Sequence, residues 1–176
     1  MKSKTIKIRP ANRHDFDTIE AVHKAAFSVS DFGYNGEGQL ARQLLEAGDA
    51  LVSIIAEVDG KAVGHALFSQ MIVEGDGKPI VAAALAPTGV IPEWQGKGVG
   101  ELLIKAGLAA LKVQGVQLSF AVGNTAYYLR FGYTAETAQP YESPYGGPYF
   151  LAVLLDPKLK APQTGKAEFA PSFANF

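Results

Sequence analysis

Apolar positions along the chain change their spacing from segment to segment, and the spacing predicts the secondary structure. Alternation over Thr5–Arg9 predicts a short strand. Asn12, with Asp15 three residues later, is typical of the start of a helix. A glycine-rich segment, Phe27–Gly38, separates this helix from a shorter one that ends near Gly48. The apolar residues at helical spacing in the two helices are Phe16, Ile19, Val22, Ala26, Leu40, Ala41, Leu44 and Leu45.

Three strands follow, and their patterns predict an antiparallel meander over Ala50–Val58, Lys61–Glu74 and Ile80–Ile91. The dipeptide Asp59–Gly60 is a two-residue hairpin signal between the first two. The third strand is apolar throughout, as expected of a strand buried on both faces. Pro87 lies inside this strand and cannot donate a backbone hydrogen bond, so we expect a bulge, an edge or a bend there.

The second half of the chain predicts further helices and strands. The clearest amphipathic helix begins at Val99, after a glycine-rich turn. A strand, a short helix and two more strands are then predicted over Gln117–Val122, Ala126–Phe131, Tyr133–Ala138 and Tyr149–Leu155. This order predicts a mixed α/β (α+β) domain over residues 1–156, with helices packed on one sheet. Residues 157–176 contain three prolines and predict a C-terminal tail, either extended or docked.

Composition narrows the class of protein. The 176 residues, 48% of them apolar, are enough for one domain with its own core. The chain has no cysteine, which excludes a disulfide framework and a thiolate metal site. With 16 Lys and Arg against 17 Asp and Glu, no basic footprint indicates a nucleic-acid partner. Neither a long apolar segment nor a signal peptide is evident, so we expect no membrane partner and a cytoplasmic location.

The candidate chemistry lies in the glycine-rich turn. Gly96, Gly98 and Gly100 lie between a buried strand and an amphipathic helix. Because glycine has no Cβ, backbone N–H groups there can approach a ligand closely, and the positive end of the helix attracts phosphate. The turn therefore predicts an anion site for a pyrophosphate; the alternative is a tight connection without a ligand. A P-loop is excluded, because glycine rather than Ser or Thr follows Lys97.

Two segments resemble a known family. Val90–Gly100, which has the pattern V-x-P-x-x-Q-G-K-G-V-G, resembles the acetyl-CoA signature of the GNAT superfamily of N-acetyltransferases. Tyr127–Tyr133 resembles the second landmark of that superfamily, a tyrosine after an aromatic residue and followed by x-x-x-Gly-aromatic. Within the superfamily, the chain is most similar to the YhbS-like acetyltransferases. The resemblance extends from about residue 5 to 155 and implies the GNAT-like acyl-CoA N-acyltransferase fold, a mostly antiparallel central sheet flanked by helices.

The resemblance also implies which residues bind acetyl-CoA, without a metal. Backbone amides of the turn would hold the pyrophosphate, and the strand edge before the turn would pair with the pantetheine arm. The residues so implied are Gln95, Gly96, Lys97, Gly98, Val99 and Gly100 for the pyrophosphate, with Thr88, Gly89, Val90 and Asn124 for the arm. Asn124 is alternatively the cap of the short helix. A free N–H near Val90 would bond the thioester carbonyl oxygen.

The same resemblance suggests a proton donor. Tyr128 is the candidate catalytic acid that protonates the leaving thiolate. The alternative is a core aromatic residue, although we expect Tyr127 to be the one that faces the core. The third predicted strand contains no carboxylate, so the base remains open among Glu37, His65, Glu93 and water. His65 is alternatively a hydrogen-bonded core residue.

The predicted function is transfer of the acetyl group of acetyl-CoA to a primary amine, by direct attack of the amine on the thioester. The acceptor would be a small molecule or a peptide, bound by the loops Phe27–Gly38 and Tyr141–Tyr149. The alternatives are a non-catalytic acyl-CoA-binding or sensing module and a protein-interaction domain. Three phenylalanines in the tail predict docking on the body of the protein or on a second copy in a homodimer.

Overall fold

Eight strands form one sheet in the computed structural model, which describes residues 3–176. They are β1 (Ile6–Pro10), β2 (Ala50–Val58), β3 (Lys61–Gly75), β4 (Lys78–Val90), β5 (Leu118–Val122), β6 (Tyr141–Glu142), β7 (Phe150–Leu154) and β8 (Gly165–Glu168). The order across the sheet is β1-β2-β3-β4-β5-β7, and β8 pairs with β3 and β6. Neighbours are antiparallel apart from the parallel pairs β4–β5 and β6–β8. The mostly antiparallel mixed α/β fold is confirmed.

Helices cover both faces of the sheet. They are α1 (Phe16–Phe27), α2 (Glu37–Glu46), α3 (Val99–Val113), α4 (Thr125–Leu129) and α5 (Ala135–Ala138). Ile19 of α1 packs in one cluster with Ile55 of β2, whereas Leu103 of α3 packs in another with Ile54. Because adjacent strand residues point to opposite faces, α1 and α3 lie on opposite sides of the sheet.

The hairpin between β2 and β3 forms where the sequence predicts it. Asp59 and Gly60 both have a positive φ, of 51° and 75°. This backbone suits the tight two-residue turns that match the twist of the paired strands. The observed bounds of β2, β3 and β4 agree with the predicted bounds to within two residues at each end.

β4 carries an extra residue beside Pro87. Phe68 pairs with Leu85 and Ala66 pairs with Thr88, so two steps along β3 correspond to three along β4. This register shift confirms the bulge that the proline predicts. The bulge lies between Leu85 and Thr88, shortly before β4 ends at the glycine-rich turn.

β4 and β5 separate at the end nearest the glycine-rich turn. They pair in parallel where Ala82–Ala84 lie beside Leu118–Phe120. β4 then continues to Val90 and β5 to Val122, with no further pairing between them in the described part of the chain. This opening, the strand gap, leaves backbone groups of both strands open to an added partner.

One predicted strand, Tyr133–Ala138, is wrong. Thr134 forms an isolated bridge with Ala152, and α5 begins directly after it. The Thr134 hydroxyl accepts a hydrogen bond from the Thr137 amide at 3.1 Å and so caps a helical turn. This cap and the alanines of α5 favour helix over the alternation that predicted a strand. The next predicted strand, Tyr149–Leu155, is confirmed as β7.

Residues 157–176 pack against the rest of the protein. β8 lies beside β3, and Phe173 is buried in the cluster that holds Ile19 and Leu44. The tail is therefore docked, while the domain boundary after residue 156 and the homodimer stay predictions. Among residues 3–176, no helix is long and apolar enough to cross a bilayer.

Candidate functional site

A cavity of about 480 Å³ opens at the N-terminus of α3. Six of the residues assigned to the coenzyme from the sequence line it: Val90, Gln95, Gly96, Gly98, Val99 and Gly100. Trp94, Glu101, Tyr127 and Arg130 complete the lining. Sequence reasoning did not assign Trp94 or Glu101 to the site. The position of Trp94 beside the glycines could have indicated it from the sequence. Glu101 could not be found in this way, because its partner Arg130 is 29 residues away in the chain.

Three glycines, Gly96, Gly98 and Gly100, contribute only backbone to the lining of this cavity. Gly98 is the N-cap of α3 with a φ of 84°, and Gly96 has a φ of 71°. These conformations favour glycine, and a Cβ on either residue would have no described atom within 4 Å. The first amides of α3, a helix of 15 residues, lie here with the positive end of the helix dipole. The chain can therefore present several N–H donors to an anion.

Two side chains hold the glycine-rich turn in position. Gln95 Nε2 donates to the Val90 carbonyl at 2.8 Å. Lys97 Nζ donates to the Glu93 carbonyl at 2.8 Å and lies 5.1 Å from the ring centre of Trp94. The Lys97 side chain thus points back along the turn, so only its backbone remains a candidate for contact with a ligand in the cavity.

Opposite charges at the rim connect α4 to α3. Glu101 accepts from Lys105 at 2.6 Å and from Arg130 at 2.7 Å. The hydrogen bond from Lys105, with the charges of both cations, lowers the pKa of the Glu101 carboxyl. Arg130 also lies over the ring of Tyr127, 5.7 Å from its centre. The rim therefore holds fixed charges of both signs around the cavity.

The two tyrosines of α4 have different surroundings. Tyr127 lines the cavity, and its hydroxyl lies 2.7 Å from the position of a Cβ on Gly100. Both tyrosines pack against the core cluster, so the expectation that Tyr127 is the one that faces the core is wrong. The missing Cβ of Gly100 leaves room for the Tyr127 hydroxyl against α3. Tyr128 packs edge-to-face on the buried ring of Tyr133, with 5.7 Å between ring centres. Burial raises the pKa of Tyr128 to about 12.

The edge of β4 at the strand gap carries backbone amides that do not pair with β3. The Ile91 amide donates to the Val63 carbonyl of β3 at 2.9 Å. Because successive amides of a strand point to opposite edges, the Thr88 and Val90 amides point away from β3 and toward the strand gap. The buried Thr88 hydroxyl also lacks a hydrogen-bond partner within residues 3–176. Gly89, between them, lies against α1.

Asn124 caps α4. Its Oδ1 accepts a hydrogen bond from the Tyr127 amide at 3.0 Å. The capping interpretation is confirmed, and contact of Asn124 with a ligand stays a prediction.

The three candidate bases named from the sequence lie apart from the cavity lining. Glu37 begins α2, and its carboxylate accepts from the Asn35 amide at 2.8 Å. Glu93 is exposed. His65 is completely buried in the core, where burial, followed by the neighbouring His23, lowers its pKa well below the usual value. The core interpretation of His65 is confirmed.

The aromatic loop Tyr141–Tyr149 is partly used for packing. Tyr141 is buried edge-to-face on Phe120, and Tyr145 packs on Phe169 with 4.8 Å between ring centres. In the other candidate acceptor loop, by contrast, Phe32 is 90% exposed. Across residues 3–176, no group of three or more histidines or carboxylates is arranged to hold a metal ion.

Two solved structures are similar to this fold. A GNAT family acetyltransferase from Brucella melitensis, solved in complex with acetyl-CoA, aligns with a TM-score of 0.77 and 29% identity over 96% of this chain and 98% of that chain. The GNAT family N-acetyltransferase YhbS from Escherichia coli, in complex with CoA, aligns with a TM-score of 0.83 and 24% identity over 100% of this chain and 96% of that chain.

Sequence comparison agrees with the fold. The chain is 39% identical to the uncharacterized N-acetyltransferase YjhQ of Escherichia coli K12 over 122 residues. The aligned region covers 68% of this chain and 67% of YjhQ. The chain is 30% identical over 116 residues to the uncharacterized N-acetyltransferase YhbS of the same strain, over 65% of this chain and 68% of YhbS. A family model described as an acetyltransferase (GNAT) domain matches residues 7–135. This chain therefore belongs to the GNAT acetyltransferase family.

Proposed function

We propose that this protein transfers the acetyl group of acetyl-CoA to a primary amine of a small molecule or a peptide. One observation carries the proposal: Val90 belongs both to the lining of the glycine cavity and to the free edge of β4. The cavity that would bind an anion is thus continuous with the edge of β4, where an extended ligand could pair. Coenzyme A has this chemistry, a diphosphate joined to an amide-bearing arm. The Brucella melitensis relative, solved with acetyl-CoA, supports the same coenzyme here.

The residues present fit such a ligand. Open space in front of Gly96 and Gly98 leaves room for a diphosphate, which the amides of residues 95–100 would bind. The edge formed by Thr88, Gly89 and Val90 would pair with the pantetheine arm as an added strand does. Asn124, beside the strand gap, would flank that arm. When bound, the coenzyme supplies the activated acetyl thioester.

Two groups of the chain would then assist the transfer. The Val90 amide would donate to the thioester carbonyl oxygen as negative charge develops on it. Tyr128 would donate its proton to the leaving sulfur, because a pKa of about 12 keeps its hydroxyl protonated at neutral pH. A Cβ on Gly123, directly after β5, would lie 3.1 Å from the Tyr128 ring. This contact supports a position of Tyr128 beside the strand gap.

A non-catalytic acyl-CoA-binding or sensing module is the second candidate. It is favoured by the same cavity together with the positions of the named bases, since Glu37 is engaged by Asn35 and Glu93 is exposed. Such a module would bind the coenzyme without releasing its thiol. The cytoplasmic location stays a prediction for either function.

Two experiments test the proposal, first coenzyme binding and then thiol release. Titration calorimetry with coenzyme A should give saturable one-site binding, and acetyl-CoA mixed with a panel of primary amines and peptides should release free thiol. Absence of binding would reject both candidate functions and leave the glycine turn as a structural connection. Binding without thiol release from any amine would favour the sensing module.

A further inference from the structure

Three polar side chains in the interior form a hydrogen-bonded row that the proposed reaction does not yet use. His23 Nε2 lies 2.8 Å from His65 Nδ1, and His65 Nε2 lies 2.9 Å from the Ser53 hydroxyl. Both imidazole rings are 0% exposed, whereas Ser53 is half-buried. The row runs from α1 through β3 to β2, and only its Ser53 end approaches solvent.

The inner end of this row is unsatisfied. His23 Nδ1 is buried and has no hydrogen-bond partner among the residues that the structure describes. Buried polar atoms are nearly always paired in folded proteins, so an unpaired nitrogen indicates a partner from outside the chain. The ring lies directly against β4, because a Cβ on Gly89 would be only 2.9 Å from Nδ1. Because Gly89 has no Cβ, the His23 ring can lie this close to β4.

Gly89 links this nitrogen to the proposed reaction site. It lies between Thr88 and Val90, whose amides point into the strand gap where the thioester would bind. β4 itself carries no carboxylate from Ile80 to Val90. His23 Nδ1 is therefore an unpaired ring nitrogen next to the strand segment that would hold the reacting carbonyl, and it can accept a proton when the ring is protonated on Nε2.

We infer that His23 accepts, at Nδ1, the proton that the attacking amine loses, and that His65 and Ser53 are positioning residues that carry a proton onward to solvent. The inference rests on the proposed acetyl transfer. It assigns the base that the sequence leaves open, and the base comes from α1 rather than from β4.

The proton movements balance. The amine nitrogen bonds to the acetyl carbon, the carbon–sulfur bond breaks, and the sulfur takes the Tyr128 proton. An amine N–H bond breaks as an N–H bond forms at His23 Nδ1. The Nε2 proton of His23 passes to His65 Nδ1, the Nε2 proton of His65 passes to Ser53 Oγ, and the Ser53 hydroxyl releases its own proton to water. Both rings end neutral, with their protons on the Nδ1 atoms. After the products leave, the Nδ1 proton of His23 returns through solvent to the Tyr128 phenolate, while water, Ser53 and His65 resupply protons in the reverse order. This step restores Tyr128 and the starting tautomer of both rings.

Neutral rings suit this interior. Desolvation lowers the pKa of His23 to about 4 and that of His65 well below its usual value, so neither ring holds an extra proton at neutral pH. The ring of His23 faces His65 from β3, Gly89 from β4 and, on its own helix, Phe27 at 6.0 Å. The charge of Asp15 acts on His65 and raises its pKa, but less than burial lowers it.

The first test determines the tautomer of the His23 ring. ¹⁵N NMR of the labelled full chain, with and without coenzyme A, reports which ring nitrogen carries the proton. We expect a neutral ring from pH 6 to 9 with its proton on Nε2, and an Nδ1 signal that moves when coenzyme A binds. A proton on Nδ1 in the coenzyme complex would overturn the inference, whether or not an acceptor amine is known.

Thiol release from acetyl-CoA with the most reactive amine of the panel is the second test. His23→Gln keeps an amide where Nε2 meets His65 but removes Nδ1, and should lower kcat by about 100-fold or more with unchanged affinity for coenzyme A. The ratio of the wild-type rate to the variant rate should fall as pH rises, because hydroxide replaces the base in the variant; a packing defect would leave this ratio the same at all pH values. His14→Gln, at an exposed histidine, is the matched control and should keep the wild-type rate.

The outcomes separate the inference from the proposed function. If coenzyme A does not bind, or no amine is acetylated by the wild type, the proposed function fails and the inference fails with it. If the wild type turns over and His23→Gln retains its kcat and pH profile, the inference alone fails. Should His23→Gln not fold, Ser53→Ala at the half-buried end of the row replaces it, and an unchanged kcat there would overturn the relay.

Discussion

The hydroxyl of Tyr127 lies 2.7 Å from the position that a Cβ atom on Gly100 would occupy. α3 and α4 therefore meet without a methyl group between them, and this contact closes one side of the glycine cavity. The next ring atom, Cζ, is 3.9 Å from the same position, so the hydroxyl alone makes the close approach.

Gly100→Ala should displace the Tyr127 ring and weaken coenzyme A binding by about tenfold, which corresponds to about 1.4 kcal/mol. Calorimetric titration measures the change. In a Tyr127→Phe background, Gly100→Ala should weaken coenzyme A binding much less, because the hydroxyl that the alanine Cβ would meet is gone. Equal losses in both backgrounds would show that this contact does not govern the site.

Gly98 and Gly115 provide a matched pair that tests the anion site. Both have a positive φ, 84° and 80°, and open space where a Cβ would lie. Alanine at either position should lower the free energy of unfolding by about 1–2 kcal/mol, because L-residues resist this conformation. Only Gly98→Ala should weaken coenzyme A binding, and Gly98→Glu should abolish it by adding bulk and negative charge. Unchanged affinity in Gly98→Glu would refute the anion site.

Tyr128→Phe should reduce kcat by about 100-fold while leaving coenzyme A affinity nearly unchanged, since only the proton donor is removed. Because the pKa of Tyr128 is raised to about 12, the wild-type rate should show no loss from its ionisation between pH 6 and 10. Tyr133→Phe is the control, because its hydroxyl bonds Ser119 in the core at 2.8 Å. It should lower stability without a comparable loss of rate, and a wild-type rate in Tyr128→Phe would exclude the acid role.

The docked tail should contribute to stability through Phe173. This ring is 7% exposed and packs with the apolar residues of α1 and α2, so Phe173→Ala should cost about 3–5 kcal/mol in urea unfolding. Phe176, which is 50% exposed, provides the control, and its alanine variant should unfold close to the wild type. Similar midpoints for the two variants would mean that the tail adds little to the folded state.

Acid should destabilise the protein through its buried histidines. The unfolded imidazole of His23 has a pKa near 6.5, and burial lowers the folded value to about 4. Between these values the unfolded state binds more protons, so the free energy of unfolding should fall as pH drops from 6.5 toward 4. Urea titrations across this range should show a shallower fall in His23→Gln, and an unchanged fall in His14→Gln. Equal slopes in all three proteins would assign the acid sensitivity to other groups.

Local sequence chemistry was enough to predict most of the fold. Asp59–Gly60 predicted the first hairpin because that dipeptide accepts positive φ, and Pro87 predicted a bulge because proline lacks an N–H. The glycines at 96, 98 and 100 predicted a cavity of backbone amides because they follow a strand and precede a helix. Local chemistry also overruled a prediction, since the Thr134 cap produced a helical turn where alternation suggested a strand.

By itself, the sequence determined the three strands of the meander, the glycine turn and the family resemblance, because each depends on residues close together in the chain. The tertiary structure decided that Tyr127 lines the cavity, that Glu101 meets Arg130 and that His23 is hydrogen-bonded to His65. These contacts join residues far apart in sequence, and their geometry depends on how α1, α3 and α4 pack on the sheet. A periodic pattern shows which side of a helix is apolar, but only packing fixes which atom each side chain meets.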